Sequence, residues 1–123
     1  MLTIHGLKNC DSCTKARKWL DKRGFAHRFS DVRADGVDAD RLDLWIAAVG
    51  WEALLNRRGT TWRNLDESMK ADVDADHAKA LMLNFPALIK RPVFEIGDDD
   101  VLVGFKTAEQ QRIADYFGAK KSK

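Results

Sequence analysis

Strand, helix and strand fit within residues 2–32 of the chain, and this order narrows the folds open to it more than any other feature. Leu2 to His5 is short, apolar and partly β-branched, and reads as a strand ending at Gly6. From Ser12 to Arg23 the apolar positions Cys13, Ala16 and Leu20, flanked by Trp19, follow helical spacing, with Asp11 or Ser12 as the cap and Gly24 as the stop. The run AHRFSDV then places Ala26, Arg28, Ser30 and Val32 on one face of a strand and His27, Phe29 and Asp31 on the other. A βαβ unit takes roughly 30 residues and its two strands are parallel.

The middle of the chain is helical. Asp38 caps a segment with Leu42, Trp45, Ile46 and Val49 on one stripe, closed by Gly50. A second segment starts near Asp74, carries Ala78, Leu81, Met82 and Phe85 on one face, and stops before Pro86. Between them NRRGTTWRNLDE is polar and arginine-rich, a loop with a short helical turn. The end returns to strands. PVFEI and VLVGF are joined by GDDD as an antiparallel hairpin. Thr107 with Gln110 makes a capping-box pattern ahead of Ile113, Ala114 and Phe117, and Gly118 closes that helix. The expected order is βαβ, helical insert, ββα: an α/β domain over residues 1–118, with the insert at about 37–86 and a basic tail over 119–123.

A chain of 123 residues buries a core without disulfide or metal staples, so its two cysteines, Cys10 and Cys13, are not needed to hold the fold. The 21 Lys and Arg nearly balance the 19 Asp and Glu, a net charge of +2, which argues against nucleic acid as the main partner. The acidic turn Asp98, Asp99 and Asp100 and the tail lysines Lys120, Lys121 and Lys123 are the exceptions to an interspersed pattern. The first residues lack the pattern of a signal peptide, and no run of about 18 apolar residues suggests a membrane span. The expectation is a cytoplasmic monomer, in a compartment where two cysteines are ordinarily free thiols.

The spacing C-x-x-C after a strand then carries the argument. A cysteine in the first turn of a helix meets unpaired backbone N–H groups and the positive end of the macrodipole, and both favour thiolate. Cys10 has that position, with Lys8 and Lys15 as neighbours able to add positive charge. Cys13 lies one turn further on, within disulfide reach; it is either a resolving thiol or a small core residue. A zinc site is not indicated, since His5, His27 and His77 show no paired ligand spacing.

The segments GLKNCDSCTKAR, ALLNRRGTTWRNL, LMLNFPALIKRPV and VGFKTAE, in that order, resemble the arsenate reductase (ArsC-like) family, within it the YffB-type branch, with the redox regulator Spx as a cousin. The resemblance implies a thioredoxin-like βαβ-ββα core with a helical insertion, and a cis Pro92 facing the active cysteine. It implies that Cys10 is the nucleophile and that Arg91 contacts the oxyanion or sulfur adduct beside it. Arg57, Lys106 and Asn9 complete the implied substrate or glutathione contacts, while Arg58 and Arg63 are surface residues and Trp51 and Trp62 pin core or loop. Two departures stand out: Leu54 and Leu55 are followed by Asn56 before Arg57, where arsenate reductases place arginine at once, and Lys106 stands where they have another arginine. Lysine lacks the planar fork that grips an oxyanion through two hydrogen bonds. The implied function is a thiol-disulfide oxidoreductase using glutathione as co-substrate and no bound cofactor, acting on a disulfide or oxyanion; the alternatives are arsenate reduction and an Spx-like regulator binding RNA polymerase.

Overall fold

The computed structural model describes residues 2–97 and 100–121, which form two compact units, residues 2–31 with 91–97 and 100–121, and residues 32–90. Asp98 and Asp99 of the expected hairpin turn and Lys123 of the tail lie outside the described residues.

The first unit is built on a four-stranded sheet. Its strands are β1 (Leu2–Gly6), β2 (His27–Asp31), β3 (Val93–Ile96) and β4 (Asp100–Val103), in the order β2-β1-β3-β4. β1 and β2 are parallel, as the intervening helix α1 (Asp11–Lys22) requires; β3 is antiparallel to both β1 and β4. Helix α7 (Thr107–Lys121) closes the βαβ-ββα order, a thioredoxin-like arrangement. Alternation along the strands puts Leu2, Ile4, Phe94 and Ile96 into one core with Ala16 and Leu20 of α1 and Ile113 of α7. Aromatic side chains seal its edge: Phe25 stacks on Phe117 at 4.3 Å, and Trp19 meets Phe25 and Phe105 edge-on.

Two caps differ from expectation. Cys10 itself, not Asp11 or Ser12, is the N-cap of α1, with extended backbone at φ −101° and ψ 124°. At α7 the helix begins one residue earlier than a Thr107–Gln110 box demands: Thr107 is already helical, and the Glu109 carboxylate accepts the Lys106 N–H at 2.8 Å. Gly118, expected to stop this helix, lies within it.

The second unit is helical and extends the expected insert at both ends. α2 (Ala39–Val49) is capped by Asp38, which accepts the Arg41 N–H at 2.7 Å, and α6 (Ala75–Asn84) by Asp74, which accepts the His77 N–H at 2.8 Å. Between them run the single turns α3 (Trp51–Leu54), α4 (Thr60–Arg63) and α5 (Glu67–Lys70). Gly50 joins α2 to α3 at φ +87°, a left-handed conformation that admits glycine and strains other residues. After α6 a 3₁₀ turn (Pro86–Leu88) leads to a bridge between Leu55 and Ile89, fixed by Asn56 N–H on Leu88 O at 2.7 Å and Lys90 N–H on Leu54 O at 2.8 Å. Leu42, Trp45, Leu54, Leu81, Met82 and Leu88 are buried. No helix among the described residues is long and apolar enough to cross a membrane.

Candidate active site

The chain leaves β1 at Gly6 and reaches Cys10 through a turn closed by Cys10 N–H on Leu7 O at 3.2 Å. Cys10 O then receives the first helical hydrogen bond, from Thr14 N–H at 2.9 Å, with the Thr14 hydroxyl donating to the same oxygen at 3.1 Å. The Cys10 sulfur is therefore held at a helix N-terminus, half-buried, where backbone N–H groups outnumber acceptors.

Sheet pairing brings a cation to it. β1 and β3 are antiparallel with His5 opposite Val93, so the residues entering β3 run beside those leaving β1. Those residues are Arg91 and Pro92, joined by a cis peptide bond. Burial opposes ionisation of Cys10, but the Cys13 N–H, the Cys13 thiol and the hydrogen-bonding, charged guanidinium of Arg91 together outweigh it and hold the thiol below its ordinary value of 9.0. The N–H···S contact is weaker than a Ser or Asp oxygen cap, and no cap hydrogen bond of ordinary length is made by this side chain.

Cys13 has the opposite surroundings. It is fully buried on the inner side of α1, and burial first of all pushes its thiol up to about 12; the neighbouring Cys10 adds to the rise, while the Leu7 N–H and Arg91 only partly offset it. The space it occupies exists because residue 6 is glycine. A Cβ there would collide with Cys13 Sγ and come within 3.2 Å of Cys13 Cβ.

Of the residues read from the sequence, Cys10, Cys13 and Arg91 thus meet at one place in the first unit, with Pro92 following Arg91 across the cis bond. Asn9 is exposed in the turn before Cys10. Lys106 is exposed at the start of α7, with its N–H on Glu109. Lys8 and Lys15 are exposed and do not supply the charge that acts on Cys10; Arg91 does, because a half-buried guanidinium is screened less than a solvated lysine. Arg57 belongs to the second unit, exposed with its guanidinium 5.4 Å from the Trp51 ring. Arg58 and Arg63 are exposed too, and Trp51 and Trp62 are half-buried. Sequence reasoning missed Gly6 as more than a strand stop; its only signal was a glycine seven residues before a cysteine on the apolar face of the following helix. Among the described residues no group of three or more His, Cys, Asp or Glu side chains is arranged to hold a metal ion.

Comparison with known proteins gives this arrangement its context. The profile of the ArsC family matches residues 5–113. A solved structure of a YffB protein is 46% identical and superposes with a TM-score of 0.86 over 92% of this chain and 98% of its own. The solution structure of an arsenate reductase (ArsC) related protein from Brucella melitensis is 47% identical, with a TM-score of 0.73 over 90% of this chain and 92% of its own. An uncharacterized protein of Haemophilus influenzae is 42% identical over 90% of this chain and 96% of its own length. The global transcriptional regulator Spx of Listeria innocua is 23% identical over 91% of this chain and 86% of its own.

Proposed function

The chain belongs to the ArsC family, and from that premise we propose that it is a thiol-disulfide oxidoreductase that works with glutathione through Cys10. The observation that carries this reading is the contrast in acidity at the head of α1: Cys10 is held toward thiolate while Cys13, one turn away, is held as a thiol.

In the proposed cycle the Cys10 thiolate attacks one sulfur of a disulfide substrate, the S–S bond breaks, and the second sulfur departs as thiolate. A glutathione thiolate then attacks the other sulfur of the mixed disulfide, releasing Cys10 as thiolate and carrying the oxidising equivalents away as a glutathione disulfide. Attack by Cys13 would instead give a Cys10–Cys13 disulfide. A thiol pushed up to about 12 is a poor attacker near neutrality, which favours glutathione as the resolving thiol and leaves Cys13 as a hydrogen-bond donor to Cys10. Arg91 stabilises the attacking thiolate, and the backbone at Pro92 is the proposed guide for the incoming sulfur. Asn9 and Lys106 are assigned to glutathione contacts, and Arg57 by its place in the motif. No bound cofactor is needed, and the proposed setting is a reducing cytoplasm with the protein as a monomer.

A second reading, arsenate reduction with Cys10 attacking arsenic, is favoured by the similarity to an arsenate reductase related protein and disfavoured by lysine at position 106. The test is steady-state turnover of a glutathione mixed disulfide against turnover of arsenate, both with glutathione as reductant. Disulfide turnover that depends on Cys10 is the expected result. Arsenate turnover alone would move the assignment to the oxyanion, and retention of RNA polymerase from lysate without turnover of either would move it to an Spx-like regulator.

A further inference from the structure

The parallel ladder between β1 and β2 ends at the pair Gly6 and Asp31. Beyond Gly6 the chain has left the sheet, and the Leu7–Cys10 turn lies past the last rung of the ladder. Asp31 is 7% exposed, a carboxylate that needs hydrogen bonds to offset its lost hydration. Its Oδ2 accepts the backbone N–H of Lys8 at 3.1 Å. The contact joins residues 23 apart in sequence and continues the tie between the strands past the last ladder rung, to a residue two before Cys10.

Lys8 sits in the middle of a turn with two duties. One end, Cys10, is the N-cap that presents the sulfur; the other, Leu7, accepts the Cys10 N–H and turns its own N–H to the Cys13 sulfur. A shift at Lys8 moves both ends. We propose that Asp31 is a positioning residue that anchors the Leu7–Cys10 turn through Lys8 N–H and thereby fixes the place of the Cys10 sulfur. Supporting hydrogen bonds of this kind set how sharply a reactive group is held. The inference rests on the reading of Cys10 as nucleophile.

The experiment compares wild type, Asp31→Asn and Asp31→Ala by the pH profile of Cys10 alkylation with iodoacetamide and by kcat and KM on a glutathione mixed disulfide. Asparagine keeps an oxygen for the Lys8 N–H; alanine does not. The expected result is a higher alkylation midpoint in Asp31→Ala. Below both midpoints its rate falls about threefold per unit of rise, thiolate loss being partly offset by greater nucleophilicity. Its kcat falls more than its KM rises, and Asp31→Asn restores most of both. If both substitutions lower the midpoint alike, the carboxylate acts only through its negative charge, and the proposal is overturned; wild-type behaviour in both overturns it as well. Should Asp31→Ala not fold, amide exchange in the wild type decides: a Lys8 N–H exchanging as fast as an unstructured amide refutes the anchor, and a protected one supports it. A wild-type midpoint at the ordinary thiol value would instead refute the role of Cys10, an outcome that the Asp31 comparison does not mimic.

Discussion

Cys10 at the N-cap of α1 and Cys13 in its first turn are the same side chain three positions apart, and their surroundings drive them in opposite directions. At the cap, half-exposed sulfur meets N–H groups and Arg91, and the thiolate gains. One turn inward the thiol is enclosed beneath Gly6, burial dominates, and the same arginine is too weak to reverse it. The difference shows that a C-x-x-C spacing by itself assigns no chemistry. Desolvation against hydrogen bonding decides which thiol reacts.

Changes at the cap have the largest expected effect. Cys10→Ser should lower turnover of a glutathione mixed disulfide by more than about 1,000-fold, since an alcohol neither ionises near neutrality nor forms the mixed disulfide. Residual turnover near wild type would transfer the nucleophile to another residue.

Next comes the cation. Arg91→Gln removes both the charge and the hydrogen bond it makes to Cys10, and the thiolate absorbance should titrate about one unit higher, a tenfold loss of thiolate at any pH below both midpoints. An unmoved titration would mean that the helix terminus and the Cys13 thiol suffice without it.

The enclosure of Cys13 is tested through stability. Gly6→Ala drives a methyl group into Cys13 and should cost about 1–3 kcal/mol in denaturant unfolding. Adding Cys13→Ala should recover part of that cost, a coupling that a double-mutant cycle reads directly. Additive losses would contradict the contact.

The last effect is absent near neutrality and appears only as pH changes. A thiol raised to about 12 from 9.0 favours the native state fully below 9.0 and loses that contribution as pH climbs through its folded value. Cys13→Ala should therefore flatten the fall of stability between 9.0 and about 12, by up to roughly 1.4 kcal/mol per pH unit. Cys10 works in the other window. Its lowered thiol contributes stability above 9.0 that is lost as pH falls through its folded value, so Cys10→Ser should reduce the acid-side loss.

Much of the fold was legible in the sequence because its signals are local. Asp38 caps as read, and Asp74, read only as the approximate start of its segment, caps in the same way, since an Asx side chain bonds an N–H three residues on. β1, β3 and β4 follow from short runs that carry β-branched residues, and β2, which has none, from the alternation of its side chains. The single turns α3 and α5 went unread, since four residues show no period. The caps at Cys10 and Lys106 were misplaced by one or two positions because neither residue caps with its own side-chain oxygen, and a better-looking candidate stands next to each. In the site, Cys10 was legible from its place after a strand. Arg91 was legible only through resemblance: 81 residues separate it from Cys10, and the β1–β3 register that joins them has no local trace. Gly6 carried two meanings, strand end and room for Cys13, and only the first is visible along the chain.

The most direct test is the ultraviolet thiolate titration of Cys10, taken as the difference between wild type and Cys10→Ser and repeated in the Cys13→Ala background. The account predicts a wild-type midpoint below 9.0 that rises toward it, without reaching it, when the Cys13 thiol is replaced. A midpoint at or above 9.0 in the wild type would contradict it.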